Sequence, residues 1–283
     1  MVKLRDLDPS ASPLDYYGSE LRRLREAAGL SQSQLGSCVF VTASLIGQVE
    51  TTRRVPTRDF SERVDAALGT DGLFSRLVGL VLRSQLPTWF QAYAEMEARA
   101  TYISTFQAQL VYGLLQTEDY ARAVLGARTD NNLDASTAAR MERQRILERE
   151  NAPLMWVVLS EAVLHQEIGG HAVMRDQLAH LANLSARREW ARLQVLPFTV
   201  GAHAGLPGSF TLLRFENDPD LVYTEDFVQG HMTANPQALK EGSLRYDHLR
   251  AAALSVESSA ALIARVMEER YGDKPEADGH RVA

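Results

Sequence analysis

The chain has one cysteine, Cys38, in 283 residues. That excludes an intrachain disulfide and a thiolate cage for a metal. No apolar run approaches the roughly 20 residues that a helix needs to span a bilayer. The opening MVKLRDLDPSASP carries no apolar core of the signal-peptide kind. Together these absences predict a reducing, cytoplasmic setting with no membrane partner. Catalytic signatures are missing too: there is no HExxH, no nucleophile elbow and no phosphate-binding Gly-Lys-Ser/Thr run. The expectation is therefore no enzymatic activity, with no catalytic residues, no cofactor and no metal. An excess of positive charge is also lacking. The chain has 30 Lys+Arg against 36 Asp+Glu, a net of −6, which at first argues against a nucleic-acid partner.

What is present changes that reading. A composition 45% hydrophobic and 23% charged is that of an ordinary globular protein. The acidity is unevenly spread: residues 1–83 hold 11 Lys/Arg and 10 Asp/Glu, while the remainder holds 19 and 26. Between Gly18 and Arg58 six arginines face three glutamates. A segment of +3 grips a polyanion weakly, so a DNA-binding form of this chain is expected to be a dimer.

Residues 1–14, punctuated by Pro and Ser, read as a flexible arm. Residues 15–83 read as an all-α block of five short helices. The first carries Leu21, Leu24 and Ala28 on one face and stops at Gly29. The second begins at Ser31 and buries Leu35 and Val39; the third follows Thr42 and buries Ile46 and Val49. Pro56-Thr57 opens a fourth with Phe60, Val64 and Leu68 inward, and a fifth runs over residues 73–82. Pro87 marks a boundary. From there to residue 271, helices alternate with apolar runs at 102–106, 154–159, 193–196, 209–213 and 221–225, which read as strands. That order predicts a larger α+β domain with a small sheet. Residues 272–283 are polar and read as a disordered tail.

Within SQSQLGSCVFVTASLIGQVE, residues 31–50, two short helices joined at Phe40-Val41 meet the geometry of a helix-turn-helix. The first braces and the second enters the major groove. On the second helix Thr42, Ala43, Ser44, Gly47 and Gln48 fall between the apolar positions and point outward. None is charged, whereas a merely solvated face favours Lys and Glu. Gln48 suits a bidentate contact to adenine, Thr42 and Ser44 suit bases or phosphates, and Ala43 and Leu45 suit a thymine methyl. Gln32 stands where a side-chain amide and a helix N-terminus meet a phosphate. Arg53, Arg54 and Arg58 follow the recognition helix and suit backbone contacts, as do Arg22, Arg23 and Arg25 unless they are simply solvated. A competing reading is a small helical bundle that docks a protein.

The stretch LRRLREAAGLSQSQLG…VTASLIGQVETTRRVP resembles the XRE-type, phage-repressor-like helix-turn-helix family over about residues 18–68. It shares the Leu-Ser-Gln, the Glu near the end of the recognition helix and the Arg-x-Pro exit. Two positions depart: Phe40 and Thr52 stand where the family commonly has glycine in loops that often need positive φ. A non-glycine residue there costs roughly 1 kcal/mol, which leaves open whether the turn keeps the family's geometry.

The segments WFQAYAEMEARATYISTFQAQLVYGLLQTEDYARAVL, RQRIL, LSEAVLHQEIGGHAVMRDQLAHL, VLPFTVGAHAGLPGSFTLLRF and VYTED, within residues 89–267, also resemble a known family. It is a domain of unknown function that follows such helix-turn-helices in actinobacterial regulators, including antitoxin-like and WhiJ-like ones. Tyr112 stands where that family usually has proline. The resemblance implies a homodimer, and recognition of a small partner protein or an unknown ligand. The residues add two alternatives for the loop PFTVGAHAGLPG: it shapes a binding surface, or it turns a corner. Trp89, Phe90 and Tyr93 suit a core or a dimer interface. Glu161 and His165, with His171, His203, His231 and Glu225, are the groups from which a metal or acid–base site would have to be assembled.

The functional expectation is a sequence-specific, dimeric, double-stranded-DNA-binding transcriptional regulator on operator half-sites. Its C-terminal domain senses a small partner or ligand. The alternative is an antitoxin-like module that chiefly sequesters a small partner protein, with DNA binding for autoregulation.

Overall fold

Ser12 starts the first helix, its hydroxyl accepting the Asp15 amide 3.1 Å away with Pro13 at the first helical position. The computed structural model describes residues 7–127, 132–187 and 190–272. The first six residues of the expected arm, and the expected tail beyond Gly272, lie outside the described residues, and the arm ends sooner than expected, since Pro13 and Leu14 already belong to the first helix. Those up to Gln91, together with Asp134–Glu142, form one compact unit, and the rest form a second. No helix of the described residues is long and apolar enough to cross a membrane.

The first unit holds α1 (Pro13–Ala27), α2 (Gln32–Cys38), α3 (Ala43–Glu50), α4 (Arg58–Leu68) and α5 (Leu73–Ser84). Of the set the helical spacing placed inward, Leu21, Leu35, Val39, Ile46, Val49, Phe60 and Val64 are buried, whereas Leu24 and Leu68 are half-buried and Ala28, at the end of α1, is exposed. Tyr17 joins them, edge-on to Phe74 at 5.0 Å, with its hydroxyl 2.8 Å from Ser61 Oγ. Each such side chain contributes about 1.5–3 kcal/mol on burial. Thr57 caps α4, and Gly69 ends it in the left-handed conformation. α5 has no side-chain cap of its own. The Asp65 carboxylate does that work from α4, accepting the amides of Phe74 and Ser75 at 2.9 and 2.8 Å.

The second unit is built on a sheet. Its strands are β1 (Tyr102–Gln107), β2 (Leu154–Ser160), β3 (Ala191–Leu196), β4 (Phe210–Arg214), β5 (Leu221–Glu225) and β6 (Gly230–Thr233), in the order β3-β2-β1-β4-β5-β6. β1, β2 and β3 are parallel; β1–β4, β4–β5 and β5–β6 are antiparallel. The sheet has one strand more than the five apolar runs predicted. β6 is a polar edge strand, GHMT, without the apolar alternation that marks the others. The remaining helices are α6 (Thr88–Arg99), α7 (Glu118–Gly126), α8 (Leu133–Gln144), α9 (Ala162–His165), α10 (His171–Arg187), α11 (Pro236–Ala252) and α12 (Val256–Tyr271). After α8 the chain runs directly into a tight 3-10 turn at Arg145–Glu148.

Alternation decides the faces. Phe106, Val158, Phe210, Leu212 and Val222 share one face, where Tyr246 and Leu249 of α11 cover them. Tyr223 points to the other and stacks on Tyr93 of α6 at 3.9 Å. The GLLQT stretch is structural. Gln144 donates to the Gly113 and Gln116 carbonyls, and Gln177 bonds the Leu115 carbonyl and the Thr117 amide. Tyr112, in a proline position, has φ −55, the angle a proline ring would impose. Its hydroxyl bonds Glu97 at 2.6 Å, beside the buried Arg143–Glu97 pair.

Candidate nucleic-acid interface

α2 is seven residues long and held at its start by a reciprocal capping box between Ser31 and Gln34. It ends in a turn where Phe40 has φ 58. The Val41 amide returns to the Gly36 carbonyl at 2.8 Å. Gly36 is required there, since a Cβ would stand 2.7 Å from the Val41 oxygen. Thr42 then caps α3, its hydroxyl accepting the Leu45 amide. After α3, Thr52 has φ 59. Both non-glycine positions thus keep the left-handed backbone that the family's loops use. The turn is preserved at the expense of strain, roughly 1 kcal/mol at each.

α3 divides cleanly. Ile46 and Val49 are buried, while Thr42, Ser44 and Gln48 are exposed and Ala43, Leu45 and Gly47 half-buried. Gln48 Nε2 lies 3.3 Å from Ser44 Oγ, one turn back, so two polar groups on the outer face are already aligned. Glu50, on the inner face, is fully buried. It accepts Arg25 Nε at 2.5 Å, Arg25 Nη2 at 3.1 Å and Gln32 Nε2 at 2.8 Å. One carboxylate thereby ties α1, α2 and α3 together. Those bonds raise the Arg25 guanidinium above its ordinary pKa, hydrogen bonding from Glu50 outweighing the desolvation.

The sequence reading missed this anchor. Its signal was present: Glu50 follows Ile46 by four residues and so falls on the apolar face, where a carboxylate needs a cation. Arg25, expected outside with Arg22 and Arg23, is one of the buried residues. Arg23 pairs with Glu20, and Arg22 donates to the Glu50 carbonyl at 3.3 Å. Gln32, expected toward a phosphate, spans α2 and α3 through Glu50.

Beyond α3 the three arginines differ. Arg53 is exposed. Arg54 pairs with Asp134 at 3.1 Å with about half its side chain exposed. Arg58 is largely enclosed: it meets Glu142 with two nitrogens and donates to the Ser75 carbonyl at 3.0 Å. Asp134 and Glu142 are drawn from more than 75 residues downstream and belong to the same compact unit. Nothing in local spacing announced them.

The histidines and carboxylates weighed as a second site do not assemble. His165 pairs with Glu161 at 3.5 Å, His171 with Glu167 at 3.1 Å and His231 with Asp226 at 3.1 Å. His203 accepts the Gly205 amide and lies against Phe106. Among the described residues no three His, Cys, Asp or Glu side chains are grouped to hold a metal.

Comparison with known families agrees with this geometry. The helix-turn-helix domain family matches residues 17–76, and the domain of unknown function (DUF5753) matches residues 90–265. No curated protein and no solved structure matches the chain. The first match covers the unit with the exposed, uncharged face of α3, the architecture of a DNA-binding regulator. The second covers more than half of the chain, which therefore belongs to the DUF5753 family, with a helix-turn-helix domain ahead of the family's α+β domain.

Proposed function

We propose that the protein is a sequence-specific transcriptional regulator that grips operator DNA as a homodimer, with the second domain sensing a small partner protein or ligand, and that it is not an enzyme. The observation that carries this is the outer face of α3. Thr42, Ser44 and Gln48 are open, uncharged and aligned on a helix pinned from behind by Glu50. Gln48 and Ser44 read base edges, with Ala43 and Leu45 against thymine methyls. Arg53 holds phosphate directly. Arg54 and Arg58 do so by exchanging the Asp134 and Glu142 carboxylates for phosphate oxygens. Gln32 contributes by fixing Glu50. The weak local charge supports a dimer, with half-sites roughly 34–36 Å apart.

Gln48→Ala and Arg53→Ala separate reading from gripping. On a selected operator, Gln48→Ala lowers specific affinity by about 1–3 kcal/mol while leaving random duplex unaffected. Arg53→Ala weakens both alike and flattens the salt dependence. Equal losses from both variants on both duplexes would remove the base-reading role.

The antitoxin-like alternative draws on the β5–β6 turn, where Phe227 is fully exposed and Val228 63% exposed next to the edge strand β6. If the full chain with Phe227→Ser still represses its operator but no longer holds a small partner co-purified with it, sequestration is the main act.

A further inference from the structure

The two edges of the sheet end differently. At β3 the outward backbone is taken up inside the fold. The Val195 carbonyl accepts the Leu254 amide at 2.9 Å, and the Val195 amide donates to the buried Ser259 hydroxyl at 2.9 Å. At β6 the outward side is open. The Asp226 amide donates to the Gln229 carbonyl at 3.0 Å, which makes these two a hydrogen-bonded pair across the turn. Alternation then gives the ladder bonds of the β5–β6 register to Thr224–His231 and Val222–Thr233. Gly230 and Met232 therefore turn their N–H and C=O groups away from β5, and among the described residues no hydrogen-bond partner meets them.

Open edges are commonly blunted by Lys, Pro or a bulge. β6, GHMT, has none of these, and its register with β5 is one-to-one. Gly230 is required in its place, because a Cβ there would come within 2.3 Å of the Tyr223 hydroxyl. Residues 224–229 and 231–237 are exposed without interruption. Phe227 and Val228 at the tip, and Ala234 and Pro236 at the exit toward α11, are apolar.

We infer that β6 pairs antiparallel with β6 of a second copy about a two-fold axis at His231, joining two six-stranded sheets into one. Gly230 of each copy then exchanges both backbone bonds with Met232 of the other. The edge is complementary to itself beyond those bonds. Counting outward from the axis sets Val228 beside Ala234 of the second copy, and Phe227 beside its Asn235-Pro236, so apolar tips cover apolar exits. Asp226 falls next to the start of the second copy's α11, the positive end of a 17-residue helix. Amides of Gln229 and Val228 hold that carboxyl below its usual range, so it is charged near neutrality. The two His231 rings meet at the axis, each 3.1 Å from its own Asp226, so neither brings a charge without a counter-charge. This names the surface of the proposed homodimer and rests on that reading.

The test uses the full chain, first in sedimentation velocity. Met232→Pro removes an outward N–H and leaves the ladder with β5 in place. The dimer is expected to dissociate at least about tenfold more readily. Two further variants, both in a Cys38→Ser background, read the register. His231→Cys is expected to cross-link the copies on mild oxidation, because facing residues of a non-hydrogen-bonded pair stand about 4.5 Å apart at Cα. Thr233→Cys is expected not to, its two copies lying about 14 Å apart. An unchanged dimer in folded Met232→Pro, or equal cross-linking at 231 and 233, overturns this interface and leaves a homodimer through another surface standing. Should Met232→Pro fail to fold, the cross-linking pair decides. A chain that stays monomeric even on operator duplex, with β6 free or held by a small partner protein, overturns the interface and the dimeric reading together.

Discussion

Releasing Arg58 from Glu142 changes how steeply DNA binding depends on salt. Arg58 is held by a two-point bond to Glu142 and by the Ser75 carbonyl, with side-chain exposures of 22% and 14% for the pair. In Glu142→Gln the guanidinium loses its counter-charge, and the dimer gains two positive charges beside its recognition helices. Each Arg58 that takes a phosphate in place of Glu142 adds about 0.9 to the slope of log K against log salt. The dimer therefore gains about 1.8, and between 50 and 200 mM salt the loss of affinity deepens about tenfold. Affinity at low salt rises accordingly. The substitution also destabilises the fold, by about 1–3 kcal/mol for a pair between exposed and buried. The assay is fluorescence anisotropy on a labelled operator duplex across a salt series, with a melting curve to confirm folding. Adding Arg58→Gln must return the slope to the wild-type value or below. A folded Glu142→Gln protein that still needs Gln48 but shows the wild-type slope refutes the exchange of carboxylate for phosphate.

Three further outcomes follow from the first unit. Phe40→Gly relieves the left-handed strain at a residue 82% exposed, and raises stability by about 0.5–1 kcal/mol after the entropy cost of glycine; chemical denaturation measures it, and a loss would mean the ring has a partner. Glu50→Ala strands the buried Arg25 and destabilises by about 3–5 kcal/mol, whereas Arg25→Met with Glu50→Leu recovers much of that; denaturant midpoints compare them. At Asp65, burial raises the pKa, but bonds from the Ser75 and Thr70 hydroxyls and the Phe74 and Ser75 amides outweigh it and leave it lowered. Its stabilisation is therefore complete above the ordinary carboxylate range and is lost as pH falls through the depressed folded value. Asp65→Asn should lower stability near neutrality and flatten its fall in acid, as followed by melting temperature against pH.

Much of this was legible because helical signals are local. Ser31 and Thr42 before apolar residues three and four apart place α2 and α3, and the same spacing turns Ser44 and Gln48 outward. Caps, periodicity and the absence of charge each depend on neighbours within one or two turns. The strands of apolar alternation were legible for the same reason. β6 was not, because an edge strand with one partner and solvent on its other side needs no apolar pattern.

The sequence by itself determined most of the apolar core of the first unit, where α2 to α5 begin, and which face of α3 stays open. It also determined that Phe40 and Thr52 must be strained if their loops are kept. Only the tertiary structure decided that the loops are kept, and that Glu50 draws Arg25 and Gln32 inward. The same holds for Asp134 and Glu142 meeting Arg54 and Arg58, and for Leu254 and Ser259 closing one edge of the sheet while β6 stays open. Ion pairs and sheet edges join residues far apart in the chain, and no periodicity within a segment records which distant partner will arrive.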